Sequence, residues 1–194
     1  RQHYIDTKHP IIAENLMGIK RRMGVKQTAK KPLLINDLKS LINVIDEEKN
    51  EYKKHQNRAL ILIGFAGGFR RSELVSIEYE DLDFVTEGVK IIVKRSKTDQ
   101  TGEGMIKAIP YFDNKIYCPV LSLKNWIDHI KIKDGAIFKM SDKNVSLVIK
   151  KYAKLAGLDP SKYSGHSLRS GFATSTAEFG AEERSIMAMT GHKS

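Results

Sequence analysis

Cysteine is almost absent from this 194-residue chain. Cys118 stands alone, so no internal disulfide can form and no zinc site can be built from several thiolates. A lone thiol fits a reducing compartment. Glycine and proline number only 14 and 5, too few for a linker-dominated or collagen-like chain. Long apolar runs are missing as well. The longest, Ala59 to Ala66, suits a buried helix and falls far short of the roughly 18 residues a membrane-spanning helix needs, so no membrane partner is expected. No signal-peptide pattern follows Arg1, and a start without methionine suggests a piece of something longer. Acidic residues are the scarcer charge: 23 Asp and Glu against 33 Lys and Arg leave a net charge of +10. What the chain does contain, 41% hydrophobic and 29% charged residues, belongs to a folded domain with room for a sizeable core.

The positive surplus invites nucleic acid as a partner but does not specify it. It is also unevenly placed. Residues 1–31 carry eight basic residues against Asp6 and Glu14, a balance of +6, whereas the other 163 residues carry only +4. The break falls at Lys30-Lys31-Pro32, so residues 1–31 read as a basic lead-in, with Pro10 to Ile19 able to form a helix; a solvated terminal arm serves equally well.

Helical spacing begins after Pro32. Leu38, Leu41, Ile42 and Ile45 share a face, with Asn36 or Asp37 as N-cap. A second helix over His55 to Ala66 is apolar on most sides, hence central, and Gly67-Gly68 ends it. A short helix from about Arg71 to Ile77 follows. The period then changes to that of two strands, Val89 to Arg95 and Met105 to Ile109, joined by a polar loop from Ser96 to Gly104. Pro119 opens another helix with Val120, Leu123, Trp126 or Ile127, and Ile130 on one face. Val145, Val148, Ile149 and Tyr152 mark the next, and Ser167 to Phe179 and Glu182 to Met189 give two more. The pattern predicts a mostly α domain with one small antiparallel β-sheet, an α+β arrangement.

Three clusters could carry chemistry. His166 and Arg169 lie three apart on a helix and share a face, so imidazole and guanidinium can converge on one phosphate; a capping histidine would use the same spacing. Arg70 follows the buried helix directly, with Glu73 placed to orient it, or to form a plain ion pair near a helix start. Thr190-Gly191-His192-Lys193-Ser194 closes the chain, with His192 as a candidate or simply a terminal residue. Lys97 sits in the strand-connecting loop, where it could reach a substrate or simply aid solubility. His3, His9, His55 and His129 have no metal-ligand spacing, and the acidic residues form no two-metal constellation.

Taken in order, Gly68-Phe-Arg70-Arg-Ser-Glu-Leu74, Ser96-Lys97-Thr98, His166-Ser-Leu-Arg169 and Gly191-His192-Lys-Ser194 resemble the catalytic domain of the tyrosine recombinases, the phage-type integrase family. Cys118-Pro119-Val120 and Phe172-Ala173-Thr174 extend the match, which covers residues 33–194. The resemblance implies the DNA breaking-rejoining fold over a catalytic domain at 32–194 that lacks its C-terminal part. Residues 1–31 then correspond to the end of a core-binding domain and its basic linker.

It further implies that Arg70, Lys97, His166, Arg169 and His192 form the active site. Such enzymes cleave one strand of double-stranded DNA at a time through a 3′-phosphotyrosyl bond, using neither metal nor nucleotide cofactor. The two arginines would neutralise the phosphoryl oxygens, with His192 adding a hydrogen bond. Lys97 would protonate the leaving 5′-oxygen, and His166 would assist the attacking phenol or orient the phosphate. The family's nucleophile follows the last histidine, yet none of the seven tyrosines here does. The 194 residues are therefore expected to bind the scissile phosphate without cleaving. The full-length protein would act as a tetramer on DNA, the fragment would be mostly monomeric without it, and the location would be the cytoplasm of a prokaryotic cell. A non-catalytic DNA-binding protein of the same fold, or a topoisomerase with the same phosphotyrosyl chemistry, are the alternative readings.

Overall fold

The computed structural model describes residues 30–94 and 104–178, together with Pro10, Glu14 and Asn15. The lead-in helix expected at Pro10 to Ile19 and the last one, at Glu182 to Met189, lie outside these residues apart from those three.

Helix α1 (Ile35–Asp46) buries the anticipated stripe of Leu38, Leu41, Ile42 and Ile45. Neither Asn36 nor Asp37 caps it. Leu34 occupies the cap position without a side-chain bond, because the Asp37 carboxylate is engaged elsewhere, accepting from Tyr163 Oη at 2.9 Å and Lys31 Nζ at 3.1 Å. Tyr163 is thereby a buried structural tyrosine. Helix α2 (Glu51–Ala66) starts upstream of His55, since Asn50 accepts from the Lys53 amide at 2.9 Å and supplies the cap. From Ala59 to Phe65 every residue of α2 is buried, which makes it the central helix. Helix α3 (Arg71–Val75) is a short turn of helix that stops before Ile77.

Among the described residues the sheet has three strands rather than two: β1 (Leu82–Val85), β2 (Gly88–Val93) and β3 (Met105–Pro110), antiparallel and in that order. The additional strand β1 is too short to show an alternation of its own; it forms because the pairing of Val85 with Gly88 leaves a tight turn at Thr86-Glu87. In the second pairing Val89 faces Ile109, Ile91 faces Lys107 and Val93 faces Met105. Along β2 the residues Val89, Ile91 and Val93 point inward.

Helices α4 (Pro119–Ile130), α5 (Asp142–Leu155) and α6 (Gly165–Glu178) complete the described part. Both α4 and α6 pack on α2. The Trp126 indole of α4 is buried and donates to the Ile137 carbonyl at 2.9 Å, so its polar edge is satisfied inside the core. The contact between α2 and α6 is close. A Cβ on Gly64 would come within 2.8 Å of a Leu168 methyl, and that approach brings the next residue, Arg169, beside the end of α2. The backbone ahead of α1 docks on the same helix, with the Leu33 amide donating to the Ser167 carbonyl at 2.9 Å. The fold is mostly helical with a small antiparallel sheet, and no described helix is long and apolar enough to cross a membrane.

Candidate functional site

The site is built around the turn that ends α2. Gly67 closes the helix, and Gly68 adopts φ +55°, a left-handed conformation that a residue with a Cβ rarely takes. The reversal tucks the Phe69 ring into the core at 1% exposure and delivers Arg70 to the N-cap position of α3. Glu73, one turn on, reaches back with both oxygens. One accepts from the Arg70 amide at 2.9 Å and the other from Arg70 Nη1 at 2.6 Å. The carboxylate is 1% exposed and the Arg70 side chain 22% exposed. The acid is therefore the interior anchor, and the guanidinium projects from it toward the surface.

Arg169 reaches the same turn from α6. It is 3% exposed, and its Nη1 donates to the Gly68 carbonyl at 3.0 Å. Its Nη2 is buried and has no hydrogen-bond partner among the described residues. Burial lowers its pKa from the ordinary arginine value; the nearby charge of Arg70 adds to the effect and Glu73 opposes it. The two arginines thus converge on one turn, Arg169 through the Gly68 carbonyl and Arg70 through the buried Glu73 carboxylate.

His166 lies one turn before Arg169, in the first turn of α6, and is exposed. Its imidazole is not needed as a cap. The Gly165 amide donates to Ser146 Oγ at 3.1 Å and the His166 amide to Ser164 Oγ at 3.3 Å, so serines serve the start of this helix. This end of α6 abuts α3: a Cβ on Gly165 would strike the Arg71 side chain at 2.2 Å. His166 therefore flanks the segment that carries Arg70. Lys97 and His192 lie outside the described residues.

Sequence reasoning missed one residue here. Lys107 of β3 is 1% exposed, and its Nζ donates to the Gly67 carbonyl at 2.7 Å, 4.9 Å from the centre of the Phe69 ring. Burial pushes its amine down to about 8; Glu73 opposes the shift, and Arg169 and Arg70 add to it. What places it is the strand phase fixed by pairing with β2. Ile109 faces the core opposite Val89, so Lys107, two residues earlier, has to point the same way. Among the described residues no group of acidic, histidine or cysteine side chains could hold a metal ion. His55 and His129 do stack, with ring centres 4.9 Å apart, away from this turn.

Two arginines and a lysine gathered around one buried glutamate, and opening toward the surface at Arg70, leave an excess of positive charge that an anion would offset. The chain belongs to the phage integrase family, the tyrosine recombinases, whose family model matches residues 31–194. An integrase/recombinase XerD homologue of Selenomonas ruminantium is 44% identical over 199 residues, covering 96% of this chain and 58% of that protein. The tyrosine recombinase XerC of Staphylococcus aureus is 28% identical over 170 residues, covering 80% of this chain and 51% of its own length. The chain thus spans only about half to three-fifths of these relatives. Among solved structures, the XerH site-specific recombinase bound to its difH substrate in a pre-cleavage complex superposes with a TM-score of 0.70 at 20% identity. That match covers 86% of this chain and 48% of the other. The XerA recombinase superposes at 0.67 and 20% identity, covering 98% and 68% respectively.

Proposed function

We propose that these residues form most of the catalytic domain of a site-specific DNA recombinase that cleaves and rejoins strands through a 3′-phosphotyrosyl intermediate. The observation that carries this reading is the buried Arg169 guanidinium. One arm is fixed on Gly68 and the other is unpaired among the described residues, beside an Arg70 anchored by Glu73. Uncompensated positive charge in a protein interior is unfavourable by several kcal/mol, and a phosphodiester entering the cluster would relieve it. The complex of XerH with its difH substrate supports DNA as the source of that phosphate.

In this reading Arg70 and Arg169 hold the two non-bridging oxygens, where charge accumulates as the phosphorus becomes five-coordinate. The planar forks fit that geometry and a lysine would not. His192 adds a hydrogen bond to the same group, and His166 orients the phosphate or takes the phenolic proton. Lys97 protonates the 5′-oxygen as it leaves. The tyrosine comes from outside these 194 residues, and residues 1–31 join the catalytic domain at 32–194 to a core-binding domain. No cofactor is required, since the phosphotyrosyl bond conserves the energy of the broken linkage. On double-stranded DNA the full-length protein assembles as a tetramer, whereas the 194-residue chain stays monomeric in its absence.

The test is incubation of the full-length protein, in the presence of a metal chelator, with a nicked duplex library of randomised sequence. Covalently trapped members are then recovered and sequenced. Protein joined to a 3′ end, a free 5′-hydroxyl and a consensus site are expected. Arg169→Lys should reduce trapping by at least about 100-fold, within the range seen when a preorganised transition-state donor is removed. No adduct from the intact protein, or efficient trapping by the 194-residue chain alone, overturns the reading.

A further inference from the structure

Lys107 has no role in the chemistry above, yet it is fully buried beside the arginines. It and Arg169 bind consecutive carbonyls. Lys107 Nζ takes that of Gly67 at 2.7 Å and Arg169 Nη1 that of Gly68 at 3.0 Å. These carbonyls lie at the C-terminal end of α2, where the last peptide oxygens lack helical donors and the helix dipole places partial negative charge. The chain then runs through Phe69, over whose ring the Lys107 ammonium sits, and reaches Arg70. Two cations from two different elements, β3 and α6, thus grip one turn, and that turn sets where the first arginine emerges. A strand amine at this depth needs a reason, because an apolar side chain would fill the same space without desolvating a charge.

We propose that Lys107 is a positioning residue of the active site, holding the Gly67-Gly68 turn so that Arg70 and Arg169 face one phosphate. The proposal rests on the strand-cleavage reading of the site. It differs from a second general acid in that Lys107 never touches the substrate. Its Nζ is committed to a backbone oxygen and lies behind Phe69. The amine acts through turn geometry, so its loss should slow the chemical step more than it weakens DNA binding. A misplacement on the ångström scale at a reacting group can cost about 100-fold in rate.

The experiment uses the full-length protein and a nicked duplex selected by the trapping described above. Lys107→Met keeps the length and apolar stem but removes the donor, and Lys107→Arg keeps a donor. Three quantities are measured for each: non-covalent duplex affinity, the single-turnover rate of adduct formation, and the thermal melt. Lys107→Met should melt cooperatively, bind DNA within about threefold of the parent and form adduct ~10 to 100-fold more slowly. Lys107→Arg should recover a substantial part of that loss. A duplex whose scissile 5′-oxygen is replaced by sulfur, a leaving group that needs no proton, should leave the Met variant just as slow relative to the parent. A folded Met variant that cleaves within twofold of the parent overturns the proposal. So does rescue by the sulfur substrate, which would make Lys107 a proton donor. Loss of the cooperative melt in both variants overturns it too, since the amine would then be a strut of the whole domain. A parent that forms no adduct removes the underlying strand-cleavage reading, whereas a normal parent with an unaffected Met variant removes this inference alone.

Discussion

The same substitution carries a stability prediction that is independent of DNA. In the folded chain burial lowers the Lys107 amine from 10.5 to about 8. Below pH 8 the amine is protonated in both the folded and unfolded states, and the folded state bears the full penalty of the buried charge. Between pH 8 and 10.5 the unfolded chain holds a proton that the folded chain has released, so stability rises with pH. Above 10.5 both are neutral and the dependence ends. At about 1.4 kcal/mol per pH unit, the interval from about 8 to 10.5 corresponds to ~3 kcal/mol. Against that stands the bond to Gly67. Its loss leaves a buried carbonyl without this donor, at a cost of about 1–3 kcal/mol. Lys107→Met should accordingly range from as stable as the parent to more stable by ~2 kcal/mol at pH 7, and be less stable by ~1 to 3 kcal/mol at pH 10.5, a swing of ~3 kcal/mol in either case. Urea unfolding of both chains at matched pH values from 7 to 10.5 measures the difference, in which all other titrating groups cancel. Two stability curves that run parallel across the range would refute the reasoning.

Two other substitutions test the framework of the site. Glu73→Gln replaces the oxygen pair that serves both the Arg70 amide and its guanidinium; it should lower stability by about 3 kcal/mol, as breaking a buried ion pair does, read as a drop in the urea midpoint. Gly171→Ala puts a methyl 2.1 Å from the Leu33 carbonyl, a backbone atom that cannot swing aside. It should force residues 30–34 away from α6, destabilise the chain by at least ~2 kcal/mol and expose the Leu33 amide to rapid hydrogen exchange; an unchanged urea midpoint would contradict the close packing.

The helices were legible where one face is apolar and the other is not. Leu38, Leu41, Ile42 and Ile45, or Val145, Ile149 and Tyr152, announce a buried stripe by spacing alone. Helix ends were less legible, because side chains that look like caps can be drawn off by distant partners. Asp37 serves Tyr163 from across the fold as well as nearby Lys31, and α2 starts at its Asn50 cap, ahead of His55. Strand β1 escaped notice for a different reason. None of its four residues is fully buried, Asp83 is exposed, and they gain their hydrogen bonds from pairing with β2.

The arginines and the lysine of the site show the limit most clearly. Arg70 and Arg169 could be picked out because each lies in a run whose neighbours have fixed duties: glycines that turn the chain ahead of Arg70, Glu73 behind it, and a helix start ahead of Arg169. Lys107 lies in a strand where local hydrophobicity points the wrong way. Ile106 beside it is 65% exposed while the lysine is buried, so the alternation read from Met105 to Pro110 alone assigns the faces backwards. Only the pairing of β3 with Val89, Ile91 and Val93 restores the phase, and pairing is a non-local fact. An inverted phase of this kind is informative in its own right. Placing the isoleucine in water and the amine in the core runs against burial energetics at both positions, and the arrangement is stable only because the carbonyl of Gly67 and the ring of Phe69 wait on the inner side. Those two groups belong to the turn that carries Arg70. The unfavourable burial of Lys107 is thus tied to the placement of the arginine, which is the position in the fold where a cost in stability can be exchanged for geometry at a phosphate.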